Sequence, residues 1–300
     1  MIKKKCARRF ISYLFLKTSL KISNFHSYLC VTEAIKNMLF QIKSYLTFLW
    51  HSKNEHAVHS PFVFTLITKC FYDKKPKEDY LLLEKYRQSL LENTSTIEVS
   101  DFGAGSLVFK SNTRAVAQIA KTAGISVKRA QLLYRISVYF QFKSILEIGT
   151  SLGLATSALA LGSKLTENEV KITTLEGCPN TMAVAKNQLQ QFKFDHVDCI
   201  TTQFDSYLKN DKIDATSYDL IYFDGNHSEK ATLAYFELLI PTITNDSVWI
   251  FDDIHWSADM EAAWETIKQH PKVTVTIDTY QWGLVFFRRE QPKEHFIIRT

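Results

Sequence analysis

The segment SILEIGTSLGLAT, Ser144 to Thr156, constrains the fold of this chain more than any other. A short apolar run (Ile145, Leu146, Ile148) carries one acidic residue, Glu147. Gly149 and Gly153 follow, and a small-residue helical pattern then runs from Leu154 to Leu161. This pattern predicts a strand, a tight turn and the N-terminus of a helix. Glycine has no Cβ, so backbone in such a turn can approach a ligand closely. The spacing is E-x-G-x-x-x-G and lacks the third glycine of the dinucleotide fingerprint G-x-G-x-x-G. That argues against a cradled pyrophosphate and makes an NAD-dependent enzyme the weakest reading.

Downstream, strand-like runs and helical patterns alternate. The strands are expected at Ile145–Ile148, Val170–Leu175, Val197–Thr201, Leu220–Phe223, Val248–Phe251, Val273–Ile277 and Leu284–Phe287. Between them lie helical patterns at Leu154–Leu161, Asn180–Phe192, Lys230–Leu239 and Met260–His270. Such alternation implies a parallel sheet with helices on both faces. DTYQWG is too short for a helical crossover, so the last two strands should form an antiparallel hairpin at the sheet edge. The expected fold class is α/β and Rossmann-like: a seven-stranded, mostly parallel sheet with a C-terminal antiparallel hairpin.

The first half reads as helical. Apolar residues recur at helical spacing from Ile35 to Leu49, and Ser60-Pro61 opens a helix running through Phe71. Lys77–Asn93, Asn112–Thr122 and Val127–Phe140 are three more helical patterns. The domain expectation is a poorly ordered basic extension over 1–37, an α-helical, substrate-capping region over 38–142, and the α/β domain over 143–300. Met38 is a candidate alternative start.

Charge sharpens that division. Residues 1–50 hold nine Lys/Arg against one acidic residue, which leaves 27 basic against 30 acidic in the remainder. The α/β part is therefore mildly acidic, and nothing in it calls for nucleic acid. The apolar run Phe10–Leu16 is far shorter than the roughly 20 residues a bilayer requires, so no stable membrane insertion is expected. An amphipathic segment lying on a membrane surface is the alternative for this stretch. Five cysteines without C-x-x-C spacing give neither a disulfide framework nor a zinc site, which fits a cytoplasmic protein. His51, His56 and His59 have no recognised zinc spacing either.

Ligands of open α/β sheets bind beyond the carboxyl ends of the strands. KITTLEG places Glu176 and Gly177 at that end of the second strand, beside the glycine turn with its Thr150 and Ser151. A carboxylate there suits a ribose; alone it would be a solvated strand end. SDFGAGS, Ser100 to Ser106, offers a rival glycine loop with Asp101, Gly103 and Gly105, but no second acidic strand follows it. It reads as a plain turn or a loop over the site.

LEIGTSLGLAT, TTLEG, YDLIYFDGNH and VWIFDDIHW together resemble the catechol and caffeoyl-CoA type O-methyltransferases, in the same order. The resemblance is closest to bacterial relatives with a D-G-x-H motif, and covers roughly Ile125 to Arg288. It implies a class I fold and S-adenosyl-L-methionine (SAM) as cofactor. Glu147, Gly149, Thr150, Ser151, Gly153, Glu176, Gly177, Phe204, Asp205 and Asp224 would bind it, with Phe204 packing on the adenine. Metal-dependent members of that group hold a divalent cation at positions matching Asp224, Asp252 and Asp253 here. Three oxygen ligands suit Mg²⁺, an extra carboxylate Ca²⁺ or Mn²⁺. The alternative is that Asp224 and Asp252 only line the pocket as hydrogen-bond acceptors. His227 stands where the catechol enzymes carry their catalytic lysine, and an ordinary imidazole can serve as base near neutral pH. His255 is a second candidate. KSNTR and KRAQLLYR, within Lys110 to Arg135, offer either a solvated surface or a basic helical face for an anionic substrate group, and Trp256 and Trp282 are candidate pocket walls or core.

The expected activity is methyl transfer to a hydroxyl of a small molecule, with His227 and Asp224 as the catalytic pair. N-methylation without metal and a non-catalytic SAM-binding scaffold are the alternatives. Long apolar helices in the first half allow a homodimer.

Overall fold

The computed structural model describes residues 25–100, 111–164, 170–210, 213 and 217–300, with side chains from residue 35 onward. Residues 1–24 and most of SDFGAGS lie outside the described residues. Helix α1 runs Phe25–His51, so the boundary expected at residue 38 falls inside it. Helix α2, Pro61–Leu66, starts as expected: Ser60 Oγ accepts from the Val63 amide, and proline fills the first position. Its last turn, Ile67–Phe71, widens into a π turn. Helix α3 spans Asp79–Glu92.

The Asn112–Thr122 pattern needs correction. Strand β1, Thr96–Glu98, pairs antiparallel with β2, Thr113–Ala115, and only Val116–Thr122 is helical, as α4. The β-branched Thr113 and the backbone around it complete the ladder begun by Thr96 and Ile97, so strand pairing overrides the helical spacing there. Helix α5, Val127–Phe140, is capped by Ser126.

The α/β part follows as β3 (Ser144–Ile148), α6 (Leu154–Ser163), β4 (Lys171–Glu176), α7 (Pro179–Gln191), β5 (Val197–Thr201), α8 (Phe204–Leu208), β6 (Leu220–Phe223), α9 (Glu229–Leu239), β7 (Val248–Asp252), α10 (Ala258–Gln269), β8 (Val275–Asp278), β9 (Trp282–Phe286) and β10 (Glu294–Ile297). The sheet order is β10-β8-β9-β7-β6-β3-β4-β5. All seven expected strands are present, and the hairpin β8–β9 is antiparallel. An eighth strand, β10, lies parallel to β8 and covers its outer edge. Strand β9 inserts between β7 and β8, so it alone runs against the others.

Alternation within β3 divides the core. Ile145 packs with α3, α5 and α6 on one face, whereas Leu146 and Ile148 pack with α9 and α10 on the other. Glu147 shares the face of Ile145 and is fully buried. Beyond the carboxyl ends of β3, β4, β6 and β7, four turns converge and form the site.

Candidate active site

The glycine turn is pinned from three sides. Its Gly149 and Thr150 amides both donate to the Leu175 carbonyl of β4 at 3.0 Å. Gly149 has φ +108°, and a Cβ there would lie 2.2 Å from the Asp224 carbonyl oxygen. The turn after β6 can therefore approach only a glycine. Gly153, at φ +76°, opens α6 and faces the Tyr86 hydroxyl, which donates to the Leu152 carbonyl at 3.0 Å. Tyr86 is thus a support of the turn that the sequence reading did not single out. Ser151 also takes a left-handed φ, +48°.

A chain of hydroxyls runs beneath the turn. Thr156 and Thr174 donate to Glu147 Oε2 at 2.5 and 2.6 Å. With the Thr174 proton committed, Thr150 donates to Thr174 at 2.5 Å. Glu147 Oε1 is buried with no partner among the described residues. Burial pushes this carboxyl up to about 7; the two threonine bonds oppose the shift and Glu176 adds to it. Glu176 sits one turn outward, where its two oxygens accept from the Ser151 and Cys178 amides, each at 2.9 Å. It links the glycine turn to the start of α7.

Phe204 comes from α8 and lies against Gly225, whose missing Cβ leaves room for the ring. Asp205 does not join the site: it is 56% exposed and pairs with Lys209 on the next helical turn at 3.0 Å. Gly177 follows Glu176 in the bend that leads into α7. A cleft beside the glycine turn is lined by Ile119, Gly124, Thr150, Ser151, Leu154 and Asp224. Helix α4 thus faces the turn.

Three carboxylates gather at the ends of β6 and β7, but they do not fit a divalent ion. Arg129, in the first turn of α5, places Nη1 2.9 Å from Asp252 Oδ1, 3.4 Å from Oδ2 and 3.9 Å from Asp253 Oδ1. Asp252 Oδ1 also accepts from the Asp253 amide at 2.8 Å, and Oδ2 from the Tyr222 hydroxyl at 3.2 Å. Each carboxylate oxygen offers two lone pairs, so Asp252 has none left for a metal. Among the described residues no three acidic, histidine or cysteine side chains are placed to hold one. Burial and the neighbouring Asp252 and Asp253 push the Asp224 carboxyl well above its usual range, against the pull of Arg129.

His227 Nε2 lies 3.6 Å from Asp224 Oδ1, so the pair expected from the sequence is brought together. His255 is not in this group. Its Nε2 lies 2.8 Å from Asp278, its Nδ1 3.4 Å from Glu261, and its ring stacks on Tyr280. Trp282 is buried core against Tyr222. Arg129 and Tyr222 are members of this cluster that sequence reasoning missed. The only signal was the basic segment KRAQLLYR, whose Arg129 turns inward rather than forming a solvated face.

A family model described as a methyltransferase domain matches residues 146–254. Among solved structures, an SAH-bound O-methyltransferase from Bacillus cereus aligns at 17% identity and TM-score 0.51, over 71% of this chain and 92% of its own. An SAH-bound Podospora anserina methyltransferase aligns at 12% and 0.54, over 77% and 97%. A SAM-bound Streptomyces achromogenes O-methyltransferase involved in tomaymycin synthesis aligns at 15% and 0.50, over 79% and 99%. The fold is the one these class I methyltransferases share, and the segment 146–254 carries the methyltransferase-domain match. No curated protein matches the chain.

Proposed function

We propose that this chain transfers the methyl group of SAM to a hydroxyl oxygen of a small molecule. The observation that carries the reading is the glycine turn, closed on Asp224 at one side and tied through Glu176 to α7 at the other. SAH- or SAM-bound O-methyltransferases of the same fold support it. Glu176 takes the ribose hydroxyls, Phe204 packs on the adenine, and the unpartnered Oε1 of Glu147 faces the demand for a cationic donor such as an α-ammonium. When bound, SAM supplies an electrophilic methyl on a sulfonium. His227 accepts the acceptor hydroxyl's proton as the oxygen attacks in line, and the resulting imidazolium stands 3.6 Å from Asp224. The helices α3 to α5 form the cap that orients the acceptor and excludes water.

Isothermal titration with S-adenosylhomocysteine tests the cofactor site. Binding by the wild type, with at least about tenfold weaker binding by Glu176→Ala, is expected, because one charge-assisted bidentate contact is worth about 1.5–3 kcal/mol. Absence of binding by the wild-type protein sinks the reading and favours a scaffold.

A further inference from the structure

The carboxylates Asp224, Asp252 and Asp253 already have a cation among them, supplied by the chain itself. Arg129 reaches both oxygens of Asp252 and comes within 3.9 Å of Asp253. Its side chain keeps 17% of its surface exposed, against 4% for Asp252. Its Nε–H is buried without a hydrogen-bond partner among the described residues. A guanidinium has five donors, and the contacts above use one nitrogen of three. Helix α5 fixes the side chain's origin: Ser126 caps the helix and accepts from the Arg129 amide at 3.3 Å.

We propose that Arg129 is the resident cation of this active site, occupying the place of a divalent metal and binding the acceptor oxygen as it gains negative charge, so that transfer proceeds without metal. The inference rests on the methyltransferase reading above and deepens it. It also sets a class of acceptor. A metal ion selects two adjacent oxygens that chelate it, whereas a guanidinium edge needs only one acidic hydroxyl. Monohydroxylated, phenol-like acceptors therefore suffice, and vicinal diols hold no advantage. The proton still leaves to His227, and the new O–C bond forms as the S–C bond breaks, with no further co-reactant.

The test is a Mn²⁺ titration followed by electron paramagnetic resonance, on wild type, Arg129→Lys, Arg129→Gln and Arg129→Ala, each also titrated with S-adenosylhomocysteine. Wild type and Arg129→Lys should leave Mn²⁺ free up to about 1 mM, a concentration that saturates typical oxygen sites. Removing the cation in Arg129→Ala or Arg129→Gln exposes the carboxylates and should create binding of about one Mn²⁺ per chain, with a melting temperature that rises with Mn²⁺. One Mn²⁺ bound by the wild type overturns the proposal. So does a folded Arg129→Ala that gains none. If neither neutral variant folds, the wild-type titration decides: free Mn²⁺ supports the proposal and bound Mn²⁺ overturns it. Failure of S-adenosylhomocysteine to bind wild type would instead strike the methyltransferase reading, which the Mn²⁺ count does not touch.

Discussion

At the scale of single residues, the site depends on groups that tolerate little change. Gly149→Ala would set a Cβ 2.2 Å from backbone oxygen at a φ of +108°, so both space and conformation oppose it. A cost of about 3 kcal/mol or more is expected, read as a fall in melting temperature. Gly153→Ala meets the end of the Tyr86 side chain at 2.5 Å, so it should cost less. If the two variants melt alike, the close approach of Asp224 is not what holds the turn. Glu147 gives a pH signature. Its folded-state carboxyl titrates near about 7 rather than 4.5, so the folded chain keeps a proton that the unfolded chain gives up. Stability should therefore fall as pH rises from about 4.5 to 7, by on the order of 3 kcal/mol from this group. Glu147→Gln cannot titrate, and thermal melts across that range should show a flatter slope. A ligand ammonium near Oε1 would favour the ionised form, so binding below pH 7 should also release a proton.

At the scale of elements, α1 is fastened to the sheet by a buried charge. Burial alone would lower the His255 pKa, but its hydrogen bonds to Asp278 and Glu261 outweigh that and raise it to about 9. Gln41 and Ser44 of α1 bind the same corner, through the Trp256 carbonyl at 2.9 Å and Glu261 at 3.3 Å. A raised histidine pKa stabilises fully below about pH 6.5, and the contribution is lost as pH rises through 9. Hydrogen exchange of α1 amides should accelerate over that window, and His255→Gln should remove the pH dependence; an unchanged profile would separate α1 docking from His255. This clamp was invisible in the sequence because DDIHW, the β8–β9 turn and α1 are far apart along it. The regular part was legible for the opposite reason. Strands β3 to β9 and their helices carry local periodicity, as do the caps Ser60 and Ser126. Strand β1 has only three residues and the mixed EHFI of β10 no apolar run, so both exist through their pairing partners. Glu147 and Gly149 were legible because one motif holds them, and Glu176 because it ends the next strand, whereas Arg129 reaches Asp252 across 123 residues.

At the scale of the whole molecule, the end of α1 closes on the last strand. Lys53 bridges to Ile298, and Arg299 reaches back to Ser52 and to the Leu49 carbonyl, so β10 and the end of α1 form one unit. That fixes the inner face of α1 and leaves its outer face unused. Ile35, Leu39, Leu46 and Trp50 are 46, 58, 57 and 85% exposed. Among the described residues no helix is long and apolar enough to cross a membrane. At 100° per residue the four side chains fall within about 60° of one another, a single apolar edge. Their order along the helix is symmetric, with gaps of four, seven and four residues. A two-fold axis near residues 42 and 43 would set Ile35 against the partner's Trp50 and Leu39 against the partner's Leu46, as an isologous interface requires. We therefore predict a homodimer through α1. Sedimentation velocity should give twice the 34.6 kDa chain mass for the wild type and the single mass for a Leu39→Glu, Leu46→Glu double variant. Both side chains are exposed in the single chain, so the variant should keep its fold, which circular dichroism and S-adenosylhomocysteine binding would verify. A monomeric wild type at tens of micromolar, or a double variant that remains dimeric, would exclude α1 as the interface.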